Sequence, residues 1–170
     1  MFAKTSSCVC FVMLCLAAHA ETPLKTLKKV LFFSKSSGYE HEVISWKKGQ
    51  PSFAEKILFE LGQQNNWSFE CSKDGSLFSE SYLKQFDAVL MFTSGNLLDA
   101  GTDKNPPMTQ AGKDALLAYV RNGGALLGTH SASDTFHTNN ESVKGPDRYL
   151  NHCEQADPFV RCLGGEFIIH

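Results

Sequence analysis

The chain has 170 residues, 42% of them hydrophobic, and its 16 Lys and Arg against 18 Asp and Glu leave a formal net charge of −2. That near-neutral balance, with no basic run, argues against nucleic acid as a partner. The length suits one domain with a real hydrophobic core.

The first twenty residues read as a secretory signal. Lys4 gives a positive start, Val9 to Ala18 is apolar, and Ala18-His19-Ala20 is an A-x-A cleavage site. The apolar run is too short for a comfortable membrane span, and the polar stretch Glu21 to Lys29 follows it. Met13 and Leu14 stand before Cys15 where a lipoprotein signal needs small residues. The sequence predicts cleavage before Glu21 and a secreted or periplasmic protein, with 1–20 as signal, 21–28 as leader and 29–170 as one domain. No second apolar stretch predicts a membrane span after cleavage. Cys71, Cys153 and Cys162 remain in the mature chain. In an oxidising compartment they allow one disulfide in three pairings. Cys153–Cys162 is the preferred pair because both lie in one loop-like segment; three unpaired thiols is the alternative.

Lys29 to Ser34 is a continuous apolar run with polar ends, the pattern of a strand buried on both faces. Lys35 to His41 follows as a loop. Phe53, Ile57, Leu58 and Leu61 fall on one face of a helix that Gly62 is expected to end. Trp67 to Cys71 alternates as a strand, Leu77 to Phe86 holds a short helix, and Ala88 to Phe92 is a third strand opened by Asp87. A second long helix runs from an N-cap at Thr109 to about Arg121, with Leu116, Leu117 and Val120 as its buried stripe and Gly123 or Gly124 at its end. Ala125 to Gly128 is a fourth strand leading into a sharp turn at His130. This β-α-β order predicts an α/β protein with a mainly parallel sheet covered on both faces. Asn139 to Arg161 is polar and without periodicity, read as a functional loop or an insertion over the strand ends. Glu166 to His170 opens a further strand on which the sequence stops, so a C-terminally incomplete domain of a longer natural protein is expected.

In a parallel sheet the carboxyl ends of the strands share one edge, where ligands bind. His41, His130, Asp134 and His170 all fall at that edge. A neutral imidazole at the His130 elbow can accept a proton or ligate a metal. His41, His130, Asp134 and His170 are therefore the expected ligands of a divalent, zinc-like ion, with His130 and Asp134 as the catalytic pair. His130 and Asp134, four apart, face one another if the segment is helical. Gly38, Tyr39, Ser94 and Asn96 are expected to bind substrate at the same rim, beside Gly95, with Tyr39 and Phe136 as apolar platforms for a sugar ring. The bland alternative for His130 is a satisfied polar residue at a strand end. His137 and His152 read as solvated loop residues. No HExxH, CxxC or P-loop is present.

The segments KKVLFFSKSSGYEH, FDAVLMFTSGNLL, YVRNGGALLGTHSASDT and GGEFIIH, in that order, resemble the trehalose-utilisation, or ThuA-like, family. The most distinctive part is the pattern Gly-Gly-x-x-x-Gly-x-His-x-Ala-x-Asp-Thr ending at Thr135. The resemblance implies a flavodoxin-like three-layer sandwich similar to class I glutamine amidotransferase domains. Those enzymes carry a cysteine where this chain has His130, so glutaminase activity is not expected. The family is associated with trehalose-type disaccharide and keto-sugar metabolism, which makes a small saccharide the expected partner. Three functions stay open: a sugar-acting enzyme, a non-catalytic carbohydrate- or partner-binding domain, and a structural domain of a larger exported protein.

Overall fold

The computed structural model describes residues 28–137 and 154–167. The signal segment, Cys153, His152 and His170 lie outside those residues. Four strands form one all-parallel sheet: β1 (Lys28–Phe33), β2 (Trp67–Ser72), β3 (Ala88–Met91) and β4 (Ala125–Gly128), in the order β2-β1-β3-β4. That order is the flavodoxin-like, doubly wound arrangement. The helices are α1 (Phe53–Asn65), α2 (Glu80–Leu83), α3 (Gln110–Arg121) and α4 (Pro158–Leu163). Among the described residues no helix is long and apolar enough to cross a membrane.

Local chemistry explains the helix starts. Ser52 caps α1, accepting from the Glu55 amide at 3.3 Å, while the Ser52 amide donates to the Glu55 carboxylate at 2.5 Å. This reciprocal box satisfies two amides that the first helical turn leaves without partners. Thr109 caps α3 through the Gly112 amide at 3.0 Å. The expected stop at Gly62 fails: α1 runs on to Asn65 and closes on Asn66 in the left-handed region at φ 57°. Gly62 answers a packing need instead, because a Cβ there would lie 2.7 Å from the Trp67 carbonyl of β2.

One face of the sheet presents Leu31, Phe33, Val89 and Met91, with Leu31 opposite Val89 and Phe33 opposite Met91. These side chains pack with Phe78, Leu83, Phe86 and Leu116 beneath α2 and α3, a core in which each fully buried large residue contributes about 1.5–3 kcal/mol. The other face carries Phe32 and Leu90 and is covered by α1 on the β2 side. Cover thins toward β4, where Leu127 is 51% exposed.

The stripe expected on α1 does not face the sheet. Phe53 is 65% exposed, and Ile57 and Leu61 are also exposed, whereas Glu55 and Gly62 are buried. The helix meets β2 through the side that carries Gly62, with Leu58 of the stripe half-buried. The segment read as structureless contains α4, started by Asp157 as N-cap with Pro158 in the first turn. Its Phe159 and Val160 are buried, and Phe159 meets Phe136 at 5.3 Å. Six residues are too few to show a helical period. Residues 165–167 form no strand, and the rest of that expected run lies outside the described residues.

Candidate functional site

Three loops leave the carboxyl edge of the sheet and are fastened together. Ser36 bridges Ser94 in parallel, and Gly95 bridges Thr135. The Ser37 and Gly38 amides donate to the Ser94 carbonyl at 2.8 and 3.1 Å. The Gly95 amide donates to the Asp134 carbonyl at 2.7 Å, and its carbonyl accepts from Phe136 at 3.2 Å. Thr93 and Thr135 share a buried hydroxyl hydrogen bond of 2.7 Å. Gly95 is thus the hub between the His41 loop and the His130 turn. Its φ of +74° and the 2.4 Å that a Cβ would leave to the Gly38 nitrogen admit only glycine.

Two buried lysines fix the His41 loop from beneath. Lys73 donates to the Ser34 carbonyl and to Glu40, both at 2.9 Å. Lys35 donates to the Asn105 carbonyl at 2.7 Å and pairs with Asp103 at 3.3 Å, with both side chains sealed from solvent. Ser94 Oγ donates to the Tyr39 carbonyl at 2.7 Å.

His130 begins a five-residue 3-10 turn (His130–Asp134) directly after β4. Its φ of +49° lies in the left-handed region, which is strained for any residue with a Cβ. The sharp elbow read from the sequence is therefore present, and a strained backbone of this kind concentrates at functional sites. The His130 ring stacks on Phe92 at 5.0 Å and meets the His41 ring edge to face at 4.4 Å. Tyr39 joins the cluster 4.9 Å from His41. A crevice of about 760 Å³ opens here, lined by Tyr39, His41, Ser94, His130, Ser131, Asp134 and Phe167.

The fold thus brings His41, His130, Asp134, Tyr39 and Ser94 to one crevice. Gly38 and Asn96 are not among its lining residues. Asn96 is spent on its own turn, donating to Asp99 at 3.0 Å and accepting from the Leu98 amide at 3.2 Å. Phe136 is no sugar platform: it is buried, with Lys113 Nζ 4.1 Å above its ring. A 3-10 turn has three residues per turn, so His130 and Asp134 sit roughly 120° apart around it and do not face one another as an α-helix would place them. Among the described residues no group of three or more His, Cys, Asp or Glu is arranged to hold a metal ion, and His170 lies outside them.

His137 overturns its reading as a solvated residue. Its side chain is only 13% exposed and lies between two carboxylates, with Nε2 hydrogen-bonded to Asp134 and Nδ1 2.8 Å from Glu166 Oε1. Burial alone lowers its pKa, but the hydrogen bonds its ring donates to Asp134 and Glu166, with the charges of those groups, outweigh burial and hold it above the usual histidine value. The signal was the three-residue spacing from Asp134; nothing local pointed to Glu166. Phe92, closing its strand run, and Phe167 were also missed as site residues.

The cysteines stand apart from this crevice. Cys71 on β2 is a free thiol whose pKa burial pushes up to about 12, with Glu55 and Glu70 adding to the effect. Cys162 on α4 is exposed, has no disulfide partner among the described residues, and lines a separate depression beside His130. The expected partner Cys153 lies outside the described residues.

The family model described as ThuA, trehalose utilisation, matches residues 29–149. No curated protein matches the chain. The crystal structure of a ThuA-like protein from Bacteroides uniformis is similar at 20% identity and a TM-score of 0.47, over 73% of this chain and 44% of that one. The chain thus spans less than half the length of that protein.

Proposed function

This chain belongs to the ThuA trehalose-utilisation family, and on that premise we propose that its crevice takes a trehalose-type disaccharide or its keto form and acts on it as an exported enzyme. The observation that carries this reading is the meeting of the His41 and His130 rings at 4.4 Å beside exposed Tyr39. Two imidazoles and a carboxylate give acid–base groups for a polyol, and Tyr39 offers an apolar face to a sugar ring. His130 is the base, and Asp134 the carboxylate that orients substrate or takes its proton.

A zinc-like divalent ion, if bound, would be held by His130 and His41 with Asp134 and His170. Such an ion would polarise a substrate oxygen. Export rests on the Lys4, Val9–Ala18 and Ala18-His19-Ala20 pattern.

The second reading is a non-catalytic saccharide-binding domain, favoured by histidine at an elbow where related folds mount a cysteine nucleophile. Turnover and binding of trehalose, other disaccharides and their keto forms, measured with bound metal on wild type and His130→Ala, separates the two. The enzyme reading expects turnover that His130→Ala abolishes. Saccharide binding that survives His130→Ala, without turnover of any sugar in the panel, overturns it.

A further inference from the structure

We propose that His137 and Glu166 are positioning residues for the Asp134 carboxylate, the three forming one hydrogen-bonded chain from the protein interior to the crevice. The proposal rests on the crevice being the functional site and adds the two residues that act on it from behind.

Glu166 has no exposed side-chain surface, and its side-chain partner among the described residues is the imidazole, at 2.8 Å on Oε1. Its other oxygen, Oε2, is buried without a hydrogen-bond partner among the described residues. A carboxylate sealed in this way carries a desolvation penalty that an apolar residue of the same size would avoid. Fastening this segment to the elbow does not require it. The Phe167 amide already donates to the Ser133 carbonyl at 2.8 Å. What Glu166 adds is a charge-assisted bond to Nδ1 that sets the plane of the ring and holds a hydrogen there.

The other end of the ring completes the chain. With Nδ1 aimed at Glu166, Nε2 is aimed at Asp134 Oδ1, and both carboxylates are satisfied only when each ring nitrogen donates. Asp134 is otherwise free to rotate about its terminal torsion, which is broad and two-fold for a carboxylate. The hydrogen bond to His137 removes that freedom and leaves one carboxylate geometry on the wall shared with His41, His130 and Ser131. His137 is not among the described residues that line the crevice, and its hydrogen bond to Asp134 connects it to that wall.

The test uses full-length protein with 15N-labelled histidine, compared with Glu166→Gln and Asp134→Asn. His137 is expected to show two imidazole N–H protons in slow exchange with water. Glu166→Gln is expected to shift the proton aimed at Asp134 and speed its exchange, although the substitution lies at the opposite end of the ring. An unchanged Nε2 proton overturns the proposal. If Glu166→Gln does not fold, Asp134→Asn asks the same question in reverse, through the Nδ1 proton facing Glu166. Calorimetric titration with trehalose supplies the second readout. Glu166→Gln is expected to weaken binding by about tenfold or more with little change in thermal midpoint. A lowered midpoint with unchanged affinity assigns a merely structural role and overturns the proposal. If wild type binds neither trehalose nor any other sugar of the panel, the saccharide reading fails, and the imidazole protons decide the chain alone.

Discussion

His41 and His130 reach one crevice from different strands, the first on the loop after β1 and the second on the turn after β4, and their rings meet edge to face at 4.4 Å. The contact depends on buried ties beneath it: Lys73 to Glu40, Ser94 to Tyr39, and Gly95 to Asp134.

His130 sits at φ +49°, so its backbone and its side chain are separable by substitution. His130→Gly and His130→Ala both delete the ring, but only glycine relieves the left-handed strain. The glycine variant should be the more stable of the two by about 1 kcal/mol in chemical denaturation, while both lose saccharide turnover. Equal stabilities would show that the turn is not strained.

Gly95→Ala places a methyl group 2.4 Å from the Gly38 nitrogen at a φ of +74°. A loss of about 2 kcal/mol or more is expected in urea denaturation. Ligand affinity should fall with it, because the His41 loop and the His130 turn both hang on this residue. A stable variant with full affinity would remove Gly95 from its place as hub.

Lys35 and Asp103 form an ion pair sealed from solvent. Asp103→Asn leaves a buried ammonium without its counter-charge and should cost about 3–5 kcal/mol. The double change Lys35→Met with Asp103→Leu should cost less than either single change. Strict additivity in the double-mutant cycle would mean that the pair is not coupled.

The raised pKa of His137 gives a signed pH dependence. A group protonated more firmly in the folded state contributes its full stabilisation below its unfolded value of about 6.5 and loses it as pH rises through the higher folded value. The difference in thermal midpoint between wild type and His137→Gln should therefore be largest near pH 6 and shrink toward pH 9. A difference that grows with pH would reverse the sign and indicate a neutral ring.

Thiol reactivity separates Cys162 from Cys71. After mild reduction at pH 8, iodoacetamide should label exposed Cys162 and leave Cys71 untouched, since a thiol with a pKa near 12 holds almost no thiolate there. Protection of Cys162 before reduction, lost afterwards, would establish the expected bond to Cys153.

Much of the fold could be read along the chain. The apolar run at β1, the cap at Thr109 and the elbow at His130 are each specified by residues within one turn or one strand. α4 escaped notice because six residues show no period, and the α1 stripe misled because its apolar side chains flank the surface that packs on β2. Within the site, His41, His130 and Asp134 were legible from a topological rule, that strand ends in a parallel sheet share an edge. His137 was not. A histidine in a polar loop carries the same local signature whether it is solvated or held between two acids.

The sequence by itself determined the parallel α/β order, the family, and the turn that lifts His130 off the sheet edge. These follow from apolar periodicity, capping chemistry and a distinctive motif, all short-range. Which distant side chains meet was set by the three-dimensional fold: His41 with His130, and His137 with Glu166 on a segment far along the chain. Those meetings depend on how the loops are tied across the sheet edge by hydrogen bonds between residues far apart in sequence, and no local pattern encodes where such ties close.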